Sequence, residues 1–339
     1  MIVTVTPSPS LDLTYVLPAA LDPATEVHRA RSSSIEASGK GVNVSRALAR
    51  TGVPTVAVLP VAGATGRQLL DLLDADAVPH RAVEQSGMTR VNTSVLQPGR
   101  TTKVNAPARP PTTAETDMLV AATAGALAHA READPGSAHW LAVCGSLAGG
   151  RAEDVLRRLV AAAHAAGARC AVDTSSGALA AAVRAGADLL SPNAVELADL
   201  VGPDQAFAAR DGVDPGIVAD VAAGVARSFG GQLIVSLGRQ GAVWTDGVEA
   251  RHAAGPSVAP QNTAGAGDAL LAGWLAGPVG AGPSSAESGE QGEQRLARGV
   301  AWGAATCLSP GTVAPAAMLG AADVHGVGAV TVKALELSG

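Results

Sequence analysis

The chain has 339 residues, 47% hydrophobic and only 2% aromatic, enough for a sizeable core of Ala, Val and Leu in one large α/β domain or two ordinary ones. A net charge of −6 without any Lys/Arg run argues against nucleic acid or a membrane surface as partner, and the scarcity of aromatics leaves no stacking platform for single strands. Cys144, Cys170 and Cys307 are widely spaced in apolar stretches and read as core residues in a reducing compartment; with no leader-like start and no bilayer-length apolar run, a cytoplasmic location is expected.

The first short apolar run, 2–6, reads as a buried strand and is followed by Pro7 to Asp12. Residues 13–37 then show only weak period-two patterning. Ser38-Gly39-Lys40-Gly41-Val42-Asn43 opens a helix over 42–50, and its glycines would let backbone approach a ligand closely. After a strand at 55–59 and a helix at 65–73, the stretch 89–96, a turn at Pro98-Gly99 and 101–105 read as a hairpin. The segments near 13–37 and 89–106 are candidates for an accessory lid, with an ordinary surface hairpin as the plainer alternative. Strands at 140–144, 169–172, 188–190 and 233–236 then alternate with helices at 114–130, 152–166 and 217–229. That alternation predicts a mainly parallel sheet covered on both faces, with ligands beyond the strand C-terminal ends, where Pro7 to Asp12, Gly145-Ser146 and Ser191 to Asn193 fall. Residues 277–294 are polar and aperiodic and read as a flexible loop; in the following helix, Gly303-Ala304-Ala305 fits either a nucleotide base or a close helix contact.

The densest signal is Asn262-Thr263-Ala264-Gly265-Ala266-Gly267-Asp268, directly ahead of an apolar helix. Gly265, Ala266 and Gly267 leave main-chain N–H groups uncovered where that helix begins, a ready anion site. Asp268 beside it would repel a bound phosphate, yet it is well placed to take a proton from a hydroxyl attacking that phosphate. An acid in a first helical turn also simply complements the helix dipole. With the second glycine-rich element at 38–43, two ligands are indicated, and the chemistry reads as phosphoryl transfer to an alcohol. Lys40 is followed by Gly41, so there is no GxxxxGK[ST], and no GxGxxG follows the first strand; both facts count against a P-loop NTPase and a dehydrogenase.

Eight motifs in order carry a resemblance: Thr6-Pro7 to Asp12, Gly39 to Asn43, Thr89 to Asn92, Gly145 to Leu147, Asp173 to Ser175, Pro192 to Glu196, Ser236 to Gly241, and Gly265 to Asp268. Together they resemble the PfkB-type, ribokinase-like carbohydrate kinases, above all the phosphosugar branch that includes 1-phosphofructokinases and tagatose-6-phosphate kinases. The resemblance implies a three-layer α/β ribokinase-like fold, with a mainly parallel central sheet and a small β-sheet lid, as a single kinase domain over 1–339. It implies ATP and Mg²⁺, with Asp268 as general base and the amides of Gly265, Ala266 and Gly267 stabilising the transferred group. Asp12, Gly39, Gly41, Asn43 and Ser146 would surround the sugar, and Arg90, Lys40 and Lys103 would meet its phosphate, although Lys103 also reads as a solvated edge-strand lysine. Asn193, Ser236, Gly238 and Gly241 would hold nucleotide, and Glu196 would act indirectly on Mg²⁺, although Asn193 with Glu196 fits a helix cap equally well. The family commonly has Lys where Ser191 stands, and Arg239 is a candidate to replace that charge. Fructose 1-phosphate, converted to fructose 1,6-bisphosphate, is the expected acceptor, because 26–46 and 89–105 look most like 1-phosphofructokinases. Tagatose 6-phosphate or fructose 6-phosphate is the alternative acceptor, and a non-catalytic sugar-phosphate-binding regulator is the alternative of another class. A homodimer through the lid is expected.

Overall fold

A computed structural model describes the chain except for residues 23, 149, 203–211, 278–288, 320–322, 325–327 and 339. It begins β1 (Ile2–Val5), β2 (Ser10–Val16), β3 (Ser32–Ser38), α1 (Lys40–Arg50), β4 (Thr55–Val61), α2 (Gly63–Ala75), β5 (His80–Glu84), β6 (Arg90–Gln97) and β7 (Arg100–Val104). The middle comprises α3 (Thr113–Ala133), β8 (Trp140–Cys144), α4 (Ala152–Ala165), β9 (Arg169–Asp173), α5 (Ser176–Ala185), β10 (Leu189–Leu190), α6 (Ala194–Val201) and α7 (Pro215–Phe229). There follow β11 (Gln232–Ser236), β12 (Ala242–Thr245), β13 (Ala250–Ala254), α8 (Ala266–Leu275), α9 (Gly289–Cys307), α10 (Ala316–Leu319), a ribbon of β14 (Asp323–Val324) with β15 (Gly328–Ala329), and β16 (Thr331–Leu335).

Ten strands form the large sheet in the order β16-β13-β12-β11-β10-β9-β8-β1-β4-β5. From β5 to β11 every neighbouring pair is parallel; β12, β13 and β16 close the far end as antiparallel strands. Successive residues of β1 feed opposite cores: Ile2 packs with α1, α8 and α9, whereas Val3 and Val5 pack with α3, α4, α5 and α7. Burial of both faces is why these strands are continuous apolar runs, and the three-layer expectation holds. The strand order reverses at β1, with β4 on one side and β8 on the other, so a crevice opens beyond their C-terminal ends.

A separate four-stranded sheet, β3-β2-β6-β7, is built from the two stretches that break the alternation. Its first strand starts at Ser10, ahead of the expected 13–37 segment, so Asp12 lies within a strand and pairs with Glu36 and Asn92. The hairpin turn falls between β6 and β7 as the Pro98-Gly99 signal implied.

Four features differ from the expectation. Strand β5 shows no apolar run because only Val83 of it is buried. The antiparallel strands β12, β13 and β16 were not expected: β12 is apolar and buried but only 4 residues long, and β13 and β16 mix apolar with charged side chains, which hides them from periodicity. Residues 289–294, read as loop, begin α9, where Gly292 packs closely on the Trp244 ring; residues 278–288 of that loop lie outside the described residues. Finally, although Ala, Val and Leu dominate the core, Trp140, Trp244 and Trp274 are its largest fully buried side chains, and Arg295 lies over two of their rings. No helix among the described residues is long and apolar enough to cross a membrane.

Candidate active site

Helices α1, after Gly39, and α8, after Gly265, start without a side-chain cap, as α2, α4 and α5 also do, whereas α3 and α6 carry full capping boxes. First-turn N–H groups left uncapped at the mouth of a crevice are available to an anion. The glycines have distinct reasons. Gly39 (φ 121°) and Gly41 sit against the end of β1, where an added Cβ would lie 2.7 Å from Thr6 Cγ2 and 2.5 Å from Thr6 Oγ1 respectively. Sequence reading assigned both to ligand approach; packing of α1 on β1 already requires them. Gly265 takes a left-handed φ of 80°, and a Cβ there would run into the Thr312 carbonyl, whereas around Gly267 there is open space.

Asp268, in the first turn of α8, is almost fully buried. Its Oδ2 accepts a hydrogen bond from Asn43 Nδ2 at 2.8 Å. Burial, aided by the nearby Asp173 charge and opposed by Asn43 and Lys40, pushes its carboxyl up to about 7. Lys40, the first residue of α1, donates from Nζ to Asp173 Oδ1 at 2.6 Å, tying the start of α1 to the end of β9. Burial works against the Lys40 charge, but Asp173 outweighs it, with Asp268 and Glu196 adding, and the ammonium is held above its usual range. One cation thus stands among three carboxylates, and a carboxylate that is half-protonated near neutrality is suited to take and release a proton.

On the smaller sheet, Asp12 accepts from Ser38 Oγ at 2.8 Å and from Ser10 Oγ and Asn92 Nδ2, each at 3.0 Å. Arg90, the leading candidate for a sugar phosphate, instead donates to the backbone oxygens of Ala106 and Ser8, so two of its nitrogens are engaged by the protein. Lys103 is exposed on the edge strand β7 opposite Ser94, matching the solvated-lysine alternative. Ser146 is exposed just beyond β8, next to Gly145, whose φ of 109° brings the turn towards Lys40.

The nucleotide candidates cluster. A cavity of about 580 Å³ is lined by Ser236, Gly238, Arg239 and Gly241 on one side, by the 255–263 segment, and by Ala266, Gly267, Gly303 and Ala304 on the helices. Asn193 bridges to Ser236 beside it. Asn193 and Glu196 form the capping box of α6, as the alternative reading held: Asn193 Oδ1 accepts from Glu196 N and Glu196 Oε2 from Asn193 N, each at 2.9 Å. Burial raises the Glu196 carboxyl. Gly303 serves both of its readings, since it lines the cavity and a Cβ there would stand 3.1 Å from Ala266 O. Cys307 also lines the cavity and is only half-buried, unlike Cys144 and Cys170 in the core.

Several contributors were not singled out from sequence. Asp173 opens the Asp173–Ser175 motif, the one signal of it in the sequence. Ser10, Ser38 and Asn92 surround Asp12 through strand register, and Gly255 to Pro260 complete the cavity wall; periodicity marks neither.

Residues 8–317 match the profile of the pfkB family carbohydrate kinases. The chain is 34% identical over 277 residues to 1-phosphofructokinase of Rhodobacter capsulatus, covering 81% of this chain and 82% of the relative. It is 32% identical over 315 residues to ATP-dependent 6-phosphofructokinase isozyme 2 of Escherichia coli strain K12, covering 92% and 94%. The crystal structure of Escherichia coli phosphofructokinase-2 in complex with substrates and products superimposes with a TM-score of 0.76 at 30% identity, covering 93% of this chain and 96% of that one.

Proposed function

We infer, from the premise that this chain belongs to the pfkB family of carbohydrate kinases, how its residues divide the work of an ATP-dependent sugar kinase. The observation that carries the assignment is the buried Asp268 carboxylate, anchored by Asn43 through Oδ2, immediately after the uncapped amides at 265–267. Asp268 Oδ1 takes the proton of the acceptor hydroxyl, whose oxygen attacks the γ-phosphorus of ATP while the bond to the bridging oxygen breaks and ADP leaves. The amides of Gly265, Ala266 and Gly267 stabilise the charge on the transferring group, and Lys40 adds a cation. The cavity between the 236–241 loop and the α8–α9 pair holds the nucleotide, where Arg239 supplies charge in place of the lysine usual at Ser191. Measuring KM for ATP in Arg239→Ala tests that role; an unchanged value counts against it. Asp12, held by Ser10, Ser38 and Asn92, faces the sugar hydroxyls, with the smaller sheet closing over the sugar.

Mg²⁺ keeps most of its waters and binds largely through substrate phosphates, so it would need few ligands from the protein. Glu196, one oxygen of which is free of its cap, fits a water-mediated contact with an ion that would neutralise phosphate charge.

The acceptor we propose is a phosphorylated ketohexose, fructose 1-phosphate first, in a cytoplasmic enzyme. Fructose 6-phosphate is the second reading, because relatives of both names match at nearly equal identity. ADP release over a panel of sugars and sugar phosphates is the deciding experiment. The expected outcome is a clear preference for fructose 1-phosphate and a loss of about 10²–10⁴ in kcat for Asp268→Asn. A best rate on an unphosphorylated sugar would refute the acceptor class, and an active Asp268→Asn would refute the base.

A further inference from the structure

The Asp268 carboxylate is approached from α1 by hydrogen bonds that all point one way. Arg46, buried in α1, donates from Nη1 to Thr312 Oγ1 at 3.2 Å. The Thr312 hydroxyl donates to Asn43 Oδ1 at 3.4 Å, and Asn43 Nδ2 donates to Asp268 Oδ2 at 2.8 Å. Arginine has no acceptor atom, so Thr312 Oγ1 must receive the Arg46 proton and has its own single proton left for Asn43. That fixes the amide: oxygen towards Thr312, N–H towards Asp268. Arg46 cannot swing away, because it also donates to Ala37 O, Glu36 and Asp76. Thr312 borders the other half of the site too, since its carbonyl is what leaves no room for a side chain at Gly265.

We propose that Arg46 and Thr312 are positioning residues for the base, locking the Asn43 amide so that Asp268 Oδ2 is anchored and Oδ1 is left for the acceptor hydroxyl. The proposal rests on Asp268 being the base. Without the Thr312 hydroxyl, the amide is free to turn its oxygen towards Asp268, where two acceptors repel and the protonated carboxyl gains. The charged groups that act on Asp268 alongside Asn43 are Asp173 at the end of β9, Lys40 on α1 and Asp12 on β2, and none of them is altered by changing Thr312.

The test is steady-state kinetics against pH for Thr312→Val, Thr312→Ala and Thr312→Ser, with Asp268→Asn in parallel. Val and Ala differ in packing but both lack the hydroxyl, so both should lower kcat by about tenfold, the order expected for disturbing one hydrogen bond to a charged group. Both should also move the acidic limb of the profile up by about half a unit, with KM for ATP and sugar little changed, and Ser should restore both properties. Wild-type kcat and acidic limb in either hydroxyl-free variant that folds, or a Ser variant as impaired as Val, would overturn the proposal. An inactive Asp268→Asn beside such a result confines the failure to the relay, whereas an active Asp268→Asn removes the base itself.

Discussion

Gly265 and Gly267 flank the same anion site and are glycine for different reasons, which makes them a controlled pair. Gly265→Ala sets a Cβ against the Thr312 carbonyl in a left-handed backbone, so it should lower the melting temperature and the activity together. Gly267→Ala meets nothing in the protein, so it should melt like the wild type while impairing turnover, because the methyl occupies space a phosphate oxygen needs. Differential scanning calorimetry beside kcat separates the two, and a fully active Gly267→Ala would remove the amides from the mechanism. For Asp268, the carboxyl raised from 3.8 to about 7 works only when ionised, so kcat/KM should fall as pH drops through about 7. The same shift means that the folded chain keeps a proton that the unfolded chain has released, so stability declines as pH rises from about 3.8 to about 7 and stays low above. Asp268→Asn should therefore gain melting temperature over wild type above about 7 and lose that gain below about 3.8. A constant difference across that window would contradict the raised value. Asp268 and its amides were legible in the sequence because acid and donors are chain neighbours. The Asn43 contact was not, because its partner lies 225 positions away. The Arg90 contacts were hidden for a related reason: its carbonyl partners at Ser8 and Ala106 carry no side-chain signature.

Between elements, the most exacting contact is that of α8 with α9, where glycine faces glycine. A Cβ on Gly299 would lie 2.7 Å from Leu270 O, and one on Gly273 would lie 2.8 Å from Gly299 Cα. Gly299→Ala must push the helices apart, at a cost of about 1–3 kcal/mol. Because α8 carries Asp268 at its start, kcat should drop with stability, and because α9 lines the nucleotide cavity, KM for ATP should rise. An unchanged melting temperature would show that the interface yields without strain. At this scale the parallel strands and their helices were readable, since apolar runs of strand length need burial on both faces. The antiparallel end was hidden for the opposite reason: Ala250–Ala254 sets three alanines beside Arg251 and His252, with neither an apolar run nor an alternation, and is a strand where β12 and β16 flank it.

The whole molecule presents its smaller sheet with both edges, β3 and β7, open, and with Tyr15, Val27 and Val104 exposed on or near it. We propose that two copies associate through this sheet, since open edges and exposed apolar side chains favour pairing. Sedimentation velocity should give a dimer, with Val104→Glu shifting it towards monomer; a monomeric wild type would rule the association out. The large sheet manages its edge otherwise. Strand β13 pairs with β16 along five residues, yet α8, α9 and α10 intervene in the chain. During synthesis, therefore, the β13 ladder leaves the ribosome long before its cover exists. Until Thr331–Leu335 emerges, β13 itself is the outer strand of the nascent sheet, and the backbone groups that β16 later pairs are open to a neighbouring chain.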